Sequence, residues 1–117
     1  MIRIPYLITP LAGVLLFIGF VTNAFAEPTV DAARARQIAT QHACFGCHAV
    51  DKKLVGPAWR DVAVRYAGKP GAADTLAAHI QNGSSGSWGA VPMPPNAISA
   101  ADAQTVAQWI LAGSKAE

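Results

Sequence analysis

Two cysteines three positions apart, followed at once by a histidine, are the residues of this chain best placed to do chemistry: Cys44-Phe45-Gly46-Cys47-His48. The spacing C-x-x-C-H is the attachment signal of c-type haem. Two thiols so placed on a helical turn can add to the two vinyl groups of one porphyrin, forming thioethers. The adjacent imidazole is then delivered to the iron from the same side. Three other uses compete. A dithiol redox pair needs a thioredoxin-like βαβ context, and no such pattern is visible. A zinc site needs about four ligands, and beyond Cys44, Cys47 and His48 only His42 and His79 are at hand among cysteines and histidines. A chance match is open to any motif of three fixed residues. An export signal, described below, and the lack of any other cysteine favour haem.

A haem iron bound by one histidine has a second axial position. Met93 is one of two methionines, the other being the initiator. It follows His48 by 45 residues and sits among Pro92, Pro94 and Pro95. A thioether is soft and suits iron in a His/Met site. Methionine is also flexible, so that a free one would seldom rest at the metal. The flanking prolines stiffen the backbone and lower the entropy lost on ligation. A methionine filling a gap in the core is the plainer alternative; the proline clamp on a long loop favours ligation.

The elements that must position these residues read as helices. Residues 31–41 place Ala32, Ala35, Ile38 and Ala39 at helical spacing, with Asp31 or Thr29 as cap. Pro57 is expected to open a second helix at its first position, through Val62, Val64, Arg65 and Tyr66, with residues 68–71 (GKPG) as its stop. A third helix over 72–81 carries Leu76, Ala77 and Ile80 on one face, with Gly83 just past its end. Residues 82–96, NGSSGSWGAVPMPPN, have neither helical nor strand periodicity. Ser99 begins a last helix, with Asp102 in the place of the usual capping-box Glu; its apolar face is Val106, Trp109 and Ile110, and Gly113 is its stop. The fold class is all-α, three to four short helices and one long ordered loop.

The chain has 117 residues, 52% hydrophobic and 14% charged, with a mean hydropathy of +0.28. That excludes a disordered tail and a charged coiled coil. The formal net charge is +2, with no basic stripe that would argue for nucleic acid. Residues 4–26 carry no charge, follow Arg3, contain the apolar run LAGVLLFIGFV, and end in Ala24-Phe25-Ala26 before Glu27. A charged start, a short apolar stretch and small exit residues read as a secretory signal peptide over 1–26, cleaved after Ala26. An uncleaved membrane anchor is the alternative, disfavoured by Pro5 and Pro10. The domain is then 27–117, with eight Lys and Arg against seven Asp and Glu, net +1.

Taken together, CHAV…VGPAWRDVA…IQNGSSGSWGAVPMPPNAIS…AQTVAQWI resembles the bacterial class I c-type cytochromes of the c-551 kind, over nearly all of residues 43–112. The resemblance implies a small class I cytochrome c fold wrapped around one covalent haem c, with Cys44 and Cys47 as thioether anchors and His48 and Met93 as axial ligands. It implies that the Pro57 carbonyl accepts the ring N–H of His48, fixing the imidazole and raising its basicity. It further implies that the Asn96 amide donates towards the Met93 sulfur and that Trp88 gives its indole N–H to a haem propionate. Trp109 is expected as plain core, and Val55, Tyr66, Leu76 and Ile80 as pocket wall. His79 stands where the family often has Arg binding a propionate. A histidine there changes charge near neutral pH, as arginine does not, so the reduction potential is expected to fall as pH rises.

An iron with two protein ligands has no open position for substrate. The expected function is therefore one-electron transfer between periplasmic redox proteins, not catalysis. A haem enzyme or sensor with a labile Met93 is the alternative. Met as sixth ligand and a water-poor pocket raise the potential. In the family the partners include quinol-oxidising complexes, nitrite reductases and peroxidases. Contact with them is expected to be transient, near the exposed haem edge, with Lys52, Lys53, Arg60 and Lys69 around it. No nucleic acid and no small-molecule substrate are expected, and a monomer is the default for so small a carrier.

Overall fold

A computed structural model describes residues 29–115; the expected signal peptide over 1–26 lies outside them. Helix α1 spans Ala32–Gln41. It starts where expected because the Asp31 carboxylate accepts the Arg34 N–H at 2.8 Å, satisfying one of the first-turn donors. Ala43, in the left-handed region at φ 55°, then turns the chain into a single 3-10 turn, Cys44–Gly46. Helix α2 is Trp59–Tyr66, α3 is Ala72–Asn82 and α4 is Ala100–Leu111.

The start of α2 differs from expectation. Pro57 lies outside the helix, and Ala58 is its cap without a capping side chain. The reason is that loop carbonyls serve in place of a cap. The Trp59 N–H donates to Ala49 O at 3.0 Å and the Arg60 N–H to Val50 O at 2.9 Å, so two of the orphan donors that every helix start presents are already paired. Pro57 is thereby left with its carbonyl free for another donor.

At α4 half of the expected capping box forms. The Ser99 hydroxyl accepts the Asp102 N–H at 3.1 Å, while the Asp102 carboxylate reaches across to Arg34 of α1 at 3.1 Å.

Helix α4 packs against α1, α2 and α3 and is the centre of the molecule. Ala35 and Ala39 on α1 and Ala103 and Ala107 on α4 are wholly buried; methyl-sized side chains let the two helices approach closely. Trp109, 1% exposed, fills the middle as expected. Its ring meets Trp59 of α2 edge-on at 5.1 Å between centroids, and its indole N–H donates to Lys115 O at 3.1 Å, so the buried polar atom is satisfied. Leu76, Ala77 and Ile80 bring α3 onto this core. Among the described residues the only extended pairings are two isolated bridges, His48 with Lys53 and Ser84 with Met93.

Candidate functional site

The cysteine turn follows α1 directly. The His48 N–H donates to Cys44 O at 3.0 Å and the Cys47 N–H to the same carbonyl at 3.2 Å, which winds the motif into one helical turn and sets both sulfurs and the imidazole along one cleft. Burial pushes the Cys44 thiol above its ordinary value, a backbone hydrogen bond works against this, and the neighbouring Cys47 thiol adds to the rise. A thiol redox centre needs the opposite, a lowered pKa that supplies thiolate at neutral pH. Cys44 is therefore not an activated redox thiol.

The imidazole of His48 is held on three sides. Its Nδ1 lies 2.8 Å from Pro57 O; a carbonyl can only accept, so Nδ1 carries the proton and Nε2 keeps its lone pair free. This is the contact expected of Pro57. Gly56 lies against the ring so closely that a Cβ there would sit 2.4 Å from His48 Cε1. The Trp59 ring lies nearly parallel to it, 18° off, at 5.7 Å.

Met93 enters the same cleft from the long loop. The base of that loop is closed by a reciprocal pair, Ser84 N–H to Met93 O at 3.0 Å and Met93 N–H to Ser84 O at 2.8 Å. Asn96 departs from expectation. Both hydrogens of its amide go to carbonyls, Ile80 O at 3.0 Å and Pro94 O at 3.3 Å, and not to the Met93 sulfur. The Ile80 carbonyl, in the last turn of α3 where helix carbonyls lack intrahelical donors, accepts both this amide at 3.0 Å and the Asn96 backbone N–H at 3.3 Å. Asn96 thus ties the methionine loop to α3.

The floor of the cleft is core: Trp59, Val62, Leu76, Ile80, Val106 and Ile110 line it and also belong to the main apolar cluster. Val55 lines it as expected, whereas Tyr66 does not; its ring lies beneath the Lys69 ammonium at 5.1 Å. His79 and Trp88 both reach the cleft. Of the four cations expected around its mouth, Lys53 lines it, while Arg60 donates to Asp51 O at 3.0 Å and Lys69 covers Tyr66. Sequence reasoning missed Arg65, whose guanidinium carbon stands 4.5 Å from the centroid of the Trp88 ring. Helical spacing placed Arg65 on α2 but said nothing of this contact, nor of the Ser87 carbonyl, 22 residues away, to which Arg65 also donates.

The donor set fits a haem. An apolar slot carries two thiols and an imidazole with a free nitrogen along one wall, a thioether on the loop, and polar hydrogen-bonding groups from His79 and Trp88 at its edge. A sequence profile of the cytochrome c family matches residues 32–114. Cytochrome c-551 of Azotobacter vinelandii is 57% identical over 68 residues, covering 58% of this chain and 83% of that protein. Cytochrome c-552 of Hydrogenobacter thermophilus is 52% identical over 75 residues, covering 64% of this chain and 76% of the other. The crystal structure of wild-type Nitrosomonas europaea cytochrome c552 superposes with a TM-score of 0.65 at 50% identity, over 66% of this chain and 96% of that one. The chain belongs to the cytochrome c family: it is a class I c-type cytochrome resembling the cytochromes c-551, a single-haem electron-transfer protein rather than an enzyme, with its haem held covalently through Cys44 and Cys47.

Proposed function

We propose that His48 and Met93 are the two axial ligands of the haem, and that the protein carries single electrons between redox proteins of the periplasm. The observation that carries this reading is the convergence of His48, with Nε2 left free by the Pro57 contact, and Met93 on the cleft that also holds Cys44 and Cys47. The bound haem supplies the one-electron ferric/ferrous couple. The chain's own part is to keep that couple closed and rigid. Pro57 fixes the imidazole and makes it a better donor; the Ser84–Met93 pair, the prolines and Asn96 hold the thioether in place; Val62, Leu76, Ile80, Val106 and Ile110 exclude water. With His48 and Met93 held in this way, a bound haem would gain and lose its electron with little rearrangement of the chain.

Trp88 and His79 are assigned to the haem propionates, each as a ring N–H donor from the edge of the cleft. Export rests on the sequence of residues 1–26; among the described residues no helix is long and apolar enough to cross a membrane. Partners are redox proteins met transiently at the cleft mouth, with a quinol-oxidising complex as donor and a terminal reductase, such as a nitrite reductase or a peroxidase, as acceptor. The protein acts as a monomer.

The test is the visible spectrum of protein expressed with its leader, oxidised and then reduced. Low-spin bands, with a weak long-wavelength Met-to-iron band in the ferric form that Met93→Ala abolishes, are the expected result. A high-spin spectrum, or one shifted by carbon monoxide in the reduced form at neutral pH, would overturn it and mark an open iron suited to an enzyme or sensor.

A further inference from the structure

We propose that Arg65 of α2 is a strap that holds the outer part of the methionine loop, and through it keeps Trp88 and Met93 in place. The loop is anchored at its base by the Ser84–Met93 pair. Between those two residues, among the described residues, no backbone hydrogen bond joins it to the helices. Its internal support is slight: Ser84 Oγ and Ser87 Oγ are 3.5 Å apart. Six of the eight residues between the two anchors are exposed, two glycines and a proline among them, so the backbone has few reasons of its own to stay down.

Arg65 reaches this segment twice. Its Nη1 donates to the Ser87 carbonyl, and its guanidinium lies over the Trp88 ring at 4.5 Å. Only arginine makes both contacts well. The guanidinium is planar, so it can lie on an aromatic face while its in-plane N–H groups bond a carbonyl at the side. A charged donor to a carbonyl is stronger than a neutral one. The cation over the π face also draws electron density from the indole and makes its N–H a stronger donor. Arg65 touches neither the thiols nor His48, so it is a positioning residue.

The inference rests on Met93 as ligand for one of its readouts only, and the test separates the two. Holoprotein is compared as wild type, Arg65→Ala, Arg65→Lys and, as a control on the same helix, Arg60→Ala. Amide and indole hydrogen exchange is followed by NMR, and imidazole is titrated into the ferric form. Arg65→Ala is expected to speed exchange of the Trp88 indole N–H and the Met93 amide about tenfold relative to amides of α1 and α4, and to tighten imidazole binding by a similar factor, from the combined size of a cation–π contact and a charged hydrogen bond. Arg65→Lys should recover part of both effects, and Arg60→Ala should show neither. Unchanged exchange in Arg65→Ala, or acceleration spread evenly over all helices, would overturn the proposal. Were Met93→Ala to leave imidazole affinity and the spectrum unchanged, the ligand assignment would fall, and the exchange rates would still judge Arg65.

Discussion

Gly83 stands against the methionine loop so closely that a Cβ on it would lie 2.7 Å from the Met93 carbonyl oxygen. Its backbone, at φ 80° and ψ 172°, is in a region open essentially to glycine alone. The end of α3 and the backbone of Met93 are thus in direct van der Waals contact, and the position of the thioether is set by where α3 stops. Gly83→Ala is expected to cost about 2–4 kcal/mol, from the backbone strain together with the overpacking. It should also weaken the Met-to-iron band at temperatures where the rest of the protein is folded. Thermal melts followed in parallel by far-UV circular dichroism and by that band check both.

On the other side of the cleft, Gly56→Ala puts a methyl group into the His48 ring, which must tilt and lose its alignment with Pro57 O. Overpacking of this kind costs about 1–3 kcal/mol. With His48 as iron ligand, a weaker Nδ1–H···O contact makes the imidazole a poorer donor, favours ferrous over ferric iron, and raises the reduction potential. Spectroelectrochemistry on the variant measures the direction; a potential that falls contradicts the argument.

His79 lines the cleft with Lys53, and Arg65 stands behind Trp88. An N–H donor to a haem propionate draws off its negative charge and so favours the ferrous state. His79→Leu is therefore expected to lower the reduction potential, measured by spectroelectrochemistry at one pH. An unchanged potential sinks the assignment of His79.

The α1–α4 contact offers a contrast between two kinds of stabilisation. Arg34 and Asp102 pair at 3.1 Å but are 46% and 32% exposed, and solvent screens such a pair to about 0.5 kcal/mol. Ser99 caps the first turn of α4, and caps are worth about 1 kcal/mol. Arg34→Ala is expected to shift the denaturation midpoint by less than Ser99→Ala, and only the former shift should shrink in high salt.

Much of this was legible in the sequence because the decisive signals are local. C-x-x-C-H, a proline-clamped methionine and apolar residues at helical spacing each announce themselves within a few positions, and α1, α3 and α4 run where periodicity places them. What escaped depends on contacts across the chain. Pro57 looks like a helix opener until Ala49 and Val50 are seen to take the first N–H groups of α2. Asn96 looks free to serve the thioether until the end of α3 claims its amide. Arg65 is an ordinary surface residue of α2 until the loop 22 residues later folds back beneath it. Gly56 and Gly83 could have been found as glycines beside the predicted ligands' supports, but the clash that makes them obligatory exists only in three dimensions.

Six side chains, Trp59, Val62, Leu76, Ile80, Val106 and Ile110, belong at once to the core and to the wall of the cleft. A chain that has not yet received its haem would leave that surface to water, and a domain this small has little other apolar burial to spare. Once its thioethers are formed the haem completes that core, so the loaded chain folds far more stably than the unloaded one. In a cell this makes the unloaded chain a substrate for proteases and the loaded chain a poor one, so the steady abundance of the protein reads out the supply of haem and of the enzymes that attach it.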